Sequence, residues 1–313
     1  MENQNNLTEI YILGFLLENN LRMVSIVGFS VIYIITTASN AVIIFVISEE
    51  QCLHTPMYFY LVHFSFLEIC YVSVIFPTML KVLLAHLTAV SFSSCMIQLY
   101  LFLSLASTEN FLLASMAVDR YVAICHPLRY SAIMNNRMLL RTVYCSWILG
   151  FAAPIIPVLM LSQVLFCGSL TIDHFFCDLA PLLGLSCNDN GNVRLVSSLF
   201  ASAVLLSSFT LIILSYICIT YTVCKKSTSQ NLQKTFATCS SHLIVVLTFY
   251  VSGIFSYVFL IACPSFNLQK EISIIYTVGT PLVNPFIYTL RNKPVKLALR
   301  KQFLTPKPTI QKV

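Results

Sequence analysis

Residues 195–223 read LVSSLFASAVLLSSFTLIILSYICITYTV, with no Asp, Glu, Lys or Arg anywhere in the run. A helix of about 20 mostly apolar residues already crosses the roughly 30 Å hydrocarbon core of a bilayer. A barrel strand would instead show about ten residues of alternating pattern. The stretch therefore reads as a membrane-spanning helix. Six further runs of the same kind lie at 23–48, 57–80, 96–118, 142–161, 235–262 and 272–290. Only two of the seven contain a charge, Glu68 in the second and Glu109 in the third. Of the 313 residues, 58% are hydrophobic and 10% are charged, against about 25% charged in soluble domains. Lipid is the expected solvent.

An odd number of spans places the two ends on opposite sides, and Lys and Arg decide which is which. One side collects Arg120, Arg129, Arg137, Arg141, Lys225, Lys226 and Lys234 in its loops. The tail on that side adds Arg291, Lys293, Lys296, Arg300, Lys301, Lys307 and Lys312. The other side holds only Arg22, Lys81, Arg194 and Lys270. The expected fold is an all-α membrane protein, a seven-transmembrane helix bundle. Its N-terminal segment 1–22 lies outside, the bundle covers 23–290, and the tail 291–313 is cytoplasmic. The net charge of +6 does not point to nucleic acid, because the basic residues sit in short segments between apolar runs. Met1–Arg22 is polar and carries Glu2, Glu9 and Glu18. It lacks the basic start, apolar core and cleavage site of a signal peptide, so the first span is expected to act as an uncleaved signal.

Two features agree with this orientation. Asn6-Leu7-Thr8 is the only N-x-S/T sequon in the chain, and it falls on the expected outside, making Asn6 a glycosylation candidate. Cys95, Cys167, Cys177 and Cys187 also fall there, on the oxidising side where disulfides form. Four cysteines allow three pairings, and spacing does not choose among them.

The third span ends in Met116-Ala117-Val118-Asp119-Arg120-Tyr121-Val122-Ala123-Ile124-Cys125-His126-Pro127. A charge at the membrane edge is costly unless it is paired or reaches water. Asp119 is the evident partner of Arg120, and such a pair can work as a latch. The string resembles the end of the third helix in odorant receptors, of the rhodopsin-like G-protein-coupled superfamily and the tetrapod type (class II). The likeness recurs in Leu53-His54-Thr55-Pro56-Met57-Tyr58-Phe59 and Ser215-Tyr216. It recurs again in Lys234-Thr235-Phe236-Ala237-Thr238-Cys239-Ser240-Ser241-His242-Leu243 and in Pro281-Leu282-Val283-Asn284-Pro285-Phe286-Ile287-Tyr288-Thr289-Leu290-Arg291-Asn292. Together these motifs cover the chain from about 40 to 292. Three positions depart from the family's usual residues, Ser39, Glu68 and Val118.

The resemblance implies roles for particular residues. Asp119 holds Arg120 at rest, and Arg120, with its neighbour Tyr121, engages the G protein on activation. Tyr216 and Tyr288 swing toward that region, His242 belongs to the coupling end of the sixth helix, and Asn284-Pro285 loosens the seventh. The implied disulfides are Cys95–Cys177 and Cys167–Cys187. A short amphipathic helix follows the seventh span. Glu68 and Glu109 face each other in the core, where they either share a proton or hold a Na⁺ with Asn40 and Asn284. No other cofactor is implied.

The resemblance also places a ligand site in the outer half of the bundle. Its candidate lining is Phe102, Leu103, Ala106 and Ser107 on the third helix and Phe200, Ala201 and Val204 on the fifth. The sixth adds Tyr250, Ile254 and Tyr257, and the seventh adds Thr277. No carboxylate stands among these residues, so a cationic amine would lack a counter-ion, and a small, mostly apolar, neutral volatile is expected. The implied partners are that odorant, a heterotrimeric stimulatory G protein of the olfactory type that raises cyclic AMP, and membrane lipid. The implied location is the plasma membrane, as a multi-pass protein in the cilia of olfactory sensory neurons. A transporter would show inverted repeats and broken helices, and a channel would show charge rings or a filter loop. Neither pattern is present, and Ser241 and His242 have no acid placed beside them for catalysis.

Overall fold

The computed structural model describes residues 8–14, 17–187, 190–226, 242–247, 249–251, 253, 270, 273–290 and 292–304. Among them, five helices are long and apolar enough to cross a membrane. The first three are α1 (Asn19–Glu49), α2 (Pro56–Ala85) and α3 (Phe92–Cys125). A short turn, α4 (Tyr130–Ile133), precedes α5 (Asn136–Ala152), which continues as α6 (Ile155–Ser162) after a break at Ala153-Pro154. The single turn α7 (Leu179–Leu183) leads to α8 (Gly191–Lys226). A shorter apolar helix occupies His242–Val251. A π-helical turn at Ile275–Gly279 opens into α9 (Thr280–Leu290), and α10 (Lys293–Leu304) follows. The chain is thus mostly helical and fits a seven-span bundle, with parts of the sixth and seventh spans outside the described residues.

Local chemistry sets the helix starts. Pro56 stands at the first position of α2, where its missing N–H costs nothing. Ser91 caps α3 by accepting from the Ser94 N–H at 3.2 Å, and Asn135 caps α5 by accepting from Met138 at 3.0 Å. Pro154 and Pro157 remove donors from the fourth span, which accounts for its division into two helices.

The burial pattern is that of a protein solvated by lipid. Val24, Val27, Ile34, Leu206, Ile217 and Leu247 are all more than half exposed. Meanwhile Asn40, Glu68, Thr108, Glu109, Asn110 and Asn284 are buried. Polar groups packed inside and large apolar side chains turned out are expected where the surroundings are hydrocarbon. Small residues bring the helices close. A Cβ added at Gly150 would stand 2.7 Å from the Thr108 Cα, so α3 and α5 meet there backbone to backbone.

The end of the bundle near the start of α1 carries a feature absent from the helical reading of the sequence. Glu9–Ile12 forms strand β1, antiparallel to β2 (Thr88–Ser91) and parallel to β3 (Thr171–Ile172). Ile10 and Ile12 point inward and are fully buried, while Glu9 and Tyr11 face out. They pack with Leu99, Ile172, Leu182 and the Cys95–Cys177 bridge. A second bridge joins Cys167 to Cys187. At the opposite end, Glu50 accepts from Lys301 and Gln302 of α10, each at 2.9 Å. Tyr58 donates to the Asn292 side chain at 3.0 Å. These bonds hold α10 against the start of α2 and the end of α1.

Candidate functional site

On α3, the sequence Leu103-x-x-Ala106-Ser107-x-Glu109-Asn110 repeats at three- and four-residue intervals and so lies along one helical face. That face looks across a cavity at Phe200, Ala201 and Val204 of α8. The cavity holds about 940 Å³ of empty space, its open mouth included. Six sequence candidates line it: Leu103, Ala106, Ser107, Phe200, Ala201 and Val204. Phe102 does not. It is fully buried behind the wall, with ring centroids 4.9 Å from Phe176 and 5.6 Å from Tyr71. Tyr250 is also behind the wall, donating to the Ser208 hydroxyl at 2.6 Å. Ser208 passes its own proton to the Val204 carbonyl at 2.7 Å. Ile254 and Tyr257 lie outside the described residues.

The seventh helix departs from the sequence reading for a geometric reason. The π turn at Ile275–Gly279 rotates the face that follows it. Thr277 is left fully buried, donating to the Ser273 carbonyl, while Tyr276, Thr280 and Pro281 line the cavity. Regular α periodicity gives no sign of that rotation. A second correction concerns charge. Glu109 is part of the cavity wall, so the expectation of a lining without a carboxylate does not hold. It sits one turn beyond Ala106, and the signal was present in the spacing.

Below the cavity, Asn284 donates to Glu68, and Glu109 lies within electrostatic reach of Glu68. Asn40 turns its amide to the Thr36 carbonyl of its own helix at 3.1 Å. The oxygens Glu68 Oε2 and Asn284 Oδ1 are buried without a partner, and such hard oxygens are the donors that an alkali or alkaline-earth cation takes. Among the described residues, no three His, Cys, Asp or Glu side chains cluster for a metal.

At the C-terminal end of α3, Arg120 Nη2 donates to Asp119 Oδ2 at 3.0 Å. The other oxygen, Asp119 Oδ1, accepts from the Tyr130 hydroxyl at 2.9 Å. Tyr130 was not among the sequence candidates, because it lies eleven residues away on α4. Tyr121 pairs with His126 at 3.2 Å. Tyr216 stacks on His242 and bonds its Nδ1 at 2.8 Å. His242 Nε2 lies 3.1 Å from the Leu113 carbonyl, which can only accept. The ring therefore donates from Nε2, and a neutral imidazole then takes the tyrosine proton at Nδ1. Asn284 and Pro285 are buried in α9. The Tyr288 side chain and Asn6 lie outside the described residues.

The segment between α6 and α8 carries two buried titratable groups. Burial, then the Lys270 charge, pushes His174 down to about 3. Its Nδ1 donates to the Phe176 carbonyl at 3.2 Å, and Ser273 meets Nε2 at 3.3 Å. Lys270 also pairs with Asp173 and bonds the Gly14 carbonyl, and Asp173 partly offsets the downward push on His174. Burial pushes Asp178 up to about 6. The two respond oppositely to acid. The contribution of His174 is present above its ordinary value of 6.5 and is lost as pH falls toward 3. That of Asp178 is present below its ordinary 3.8 and is lost as pH rises through 6. Each pH unit is worth about 1.4 kcal/mol. His174→Gln should therefore reverse the pH response between 7 and 5. Protection against hydrogen exchange over residues 171–183, taken relative to the intrinsic rate at each pH, should rise in the variant as acid is added instead of falling. An unchanged response would remove His174 from this account.

A family model described as "Olfactory receptor" matches residues 29–306. Olfactory receptor 6B1 of Homo sapiens is 43% identical over 301 residues, which is 96% of each chain. Olfactory receptor 6F1 of Homo sapiens is 42% identical over 295 residues, 94% of this chain and 96% of that one. Olfactory receptor 6B9 of Mus musculus is 43% identical over 301 residues, 96% of this chain and 95% of that one.

Proposed function

Because the chain belongs to the olfactory receptor family, we propose that it binds a small, mostly apolar, neutral odorant in this cavity and activates an olfactory-type stimulatory G protein to raise cyclic AMP. Members of the family are G-protein-coupled receptors and not enzymes. The observation that carries the reading is the cavity itself, whose wall joins α3, α8 and the seventh-span residues around mainly apolar side chains. A few polar groups in an apolar lining fix orientation without demanding a charged ligand.

The remaining assignments follow the same reading. The N-terminus faces outside with Asn6 glycosylated, and α10 lies as an amphipathic helix along the cytoplasmic leaflet. Its Val295 and Ala298 face the bundle while Lys296, Leu297 and Lys301 are exposed, which supports that placement. Asp119, Arg120, Tyr121, Tyr216, His242, Asn284, Pro285 and Tyr288 form the coupling apparatus. A Na⁺, if bound, uses the oxygens around Glu68 and Glu109. The bundle spans 23–290 in the plasma membrane of sensory cilia.

The test is an odorant screen in cells expressing the chain with the olfactory-type G protein, reading cyclic AMP. An odorant-dependent rise is expected. Substrate flux across vesicles without G-protein dependence would overturn the reading in favour of transport. Within it, His242→Phe should free Tyr216 and raise ligand-independent cyclic AMP. Loss of one neutral hydrogen bond is worth about 1 kcal/mol, roughly a fivefold shift between two states. Basal output equal to that of the native receptor would exclude the Tyr216–His242 pair as a restraint.

A further inference from the structure

We infer that a second cavity, at the end of the bundle where α1 leads into α2, holds an anionic phospholipid, its headgroup at Arg137 and its acyl chains toward Phe59 and Val62. The site is separate from the odorant cavity, and it takes from the proposed function only that this end faces the cytoplasm. The cavity holds about 1690 Å³ of empty space, its open mouth included, and residues of α1, α2, α4 and α5 line it. Its wall is sorted by depth. His54, Thr55, Asn135, Asn136 and Arg137 stand at or beside the starts of α2 and α5. Ile44, Phe59, Val62 and Leu139 lie further inside their helices. At 1.5 Å per residue, Val62 is about 9 Å in from the first residue of α2. The polar end of the cavity is therefore level with the helix ends, and its apolar end runs toward the middle of the membrane.

Charge decides the occupant. Among the described residues, the wall contains no Asp or Glu, and Arg137 is its single Lys or Arg. Arg137 is exposed and has no ion pair among the described residues. The other polar groups are partly engaged. His54 Nε2 meets the Ser48 carbonyl at 3.3 Å, and the Asn135 side chain caps α5. Recognition thus falls to a guanidinium, whose planar fork fits phosphate and carboxylate oxygens. The occupant must be negative at the helix ends and apolar one to two turns deeper. An anionic phospholipid has that order, and basic residues at the cytoplasmic ends of spans attract such lipids. A sterol brings one hydroxyl and no charge, so Arg137 would go unmatched. A free phosphate would leave the end at Phe59 and Val62 empty. Phosphatidylcholine carries a phosphate, but its choline cancels the net charge. Phe45, Met138 and Leu140, sequence neighbours of wall residues, are exposed apolar side chains, so lipid is the surrounding medium at this level.

The experiment titrates the full chain in detergent micelles with phosphatidylserine and, separately, with phosphatidylcholine of the same acyl chains. Lipid retained on the receptor is read by native mass spectrometry. Phosphatidylserine should bind about fivefold more tightly, the worth of one arginine beside an anionic headgroup. Arg137→Gln should bring the ratio close to one, and Arg137→Lys should keep most of it. Arg129 is also exposed at this end but lies outside the cavity wall, so Arg129→Gln should leave the ratio unchanged. Val62→Trp, which fills the apolar end, should weaken both lipids. Equal binding of the two lipids would overturn the inference, as would a preference that survives Arg137→Gln or one that Arg129→Gln removes equally. Glycerophosphoserine, the headgroup without chains, should compete poorly. Competition as strong as that of the lipid would show an anion site only and overturn the inference. Displacement of phosphatidylserine by equimolar cholesterol would assign the cavity to a sterol, with the same consequence. If Val62→Trp does not fold, the Arg137→Gln and Arg129→Gln ratios decide. Micelles have no sidedness and the assay needs neither odorant nor G protein. Its failure is therefore distinct from a failure of the orientation or coupling proposed above.

Discussion

Arg120→Ala should abolish odorant-driven cyclic AMP while leaving surface expression within about a factor of two. The guanidinium is 13% exposed and its partner Asp119 is 1% exposed, so the pair sits at the boundary where a cation finds both protein and water. Arg120 donates to Asp119 in the structure. The coupling role requires it to leave that partner and present charge-assisted hydrogen bonds to the G protein. Alanine removes the guanidinium that the proposed coupling relies on, so the loss should be close to complete and not graded. Folding should survive because Asp119 keeps the Tyr130 hydroxyl, although without Arg120 its carboxylate is less well compensated. The measurement is cyclic AMP at saturating odorant, normalised to surface-labelled receptor. A response above half that of the native chain would sink the latch mechanism. Tyr130 supplies an internal control. Tyr130→Phe loosens Asp119 without touching Arg120 and should raise basal output, the opposite direction.

Cys95→Ser should remove most of the receptor from the cell surface. The Cys95–Cys177 bridge closes a separation of 82 residues, and the chain-entropy model assigns such a loop about 4.5 kcal/mol. Its effect reaches beyond entropy. The bridge lies fully buried among Ile10, Leu99, Ile172 and Leu182. The Cys177 N–H donates to Gln98 at 3.1 Å, and Gln98 donates on to the Val74 carbonyl and the Thr78 hydroxyl of α2. Releasing Cys177 therefore unpairs a buried network as well as a covalent tie. The Cys167–Cys187 bridge closes only 20 residues, for about 3.3 kcal/mol. Cys167→Ser should be milder, and equal surface losses for the two variants would contradict this ranking.

The helices were legible because hydropathy and charge act on every residue of a span at once. A run of apolar residues needs no knowledge of its neighbours to be recognised. Rotation about a helix axis is different, since a uniformly apolar helix shows little sequence preference for one face over another. Phe102 and Leu103 are adjacent and equally apolar, yet one packs behind the cavity wall and the other lines it. Thr277 was lost to a π turn that has no composition of its own. Glu109 was visible as a costly buried carboxylate, but its cost suggested a shared proton or a cation site, and its spacing from Ala106, which puts it on the cavity face, was outweighed by that reading. Strand β1 shows an alternating pattern in Glu9-Ile10-Tyr11-Ile12. Four residues are too few to stand out when both pairing partners lie far along the chain.

That strand also dictates an order of assembly. Ile12 precedes both of its partners in the chain, Thr88 and Ile172, by long stretches of sequence. Joining contacts so distant in sequence carries a loop-closure cost and slows folding. β1 can pair with β2 only after Ser91 has been made, and the three-stranded sheet is complete only after Ile172, so its closing marks a late step in assembly. Anything that detains the first dozen residues, such as a bulky fusion placed directly before Thr8, should leave a membrane-inserted bundle without its seal, a candidate for retention by cellular quality control.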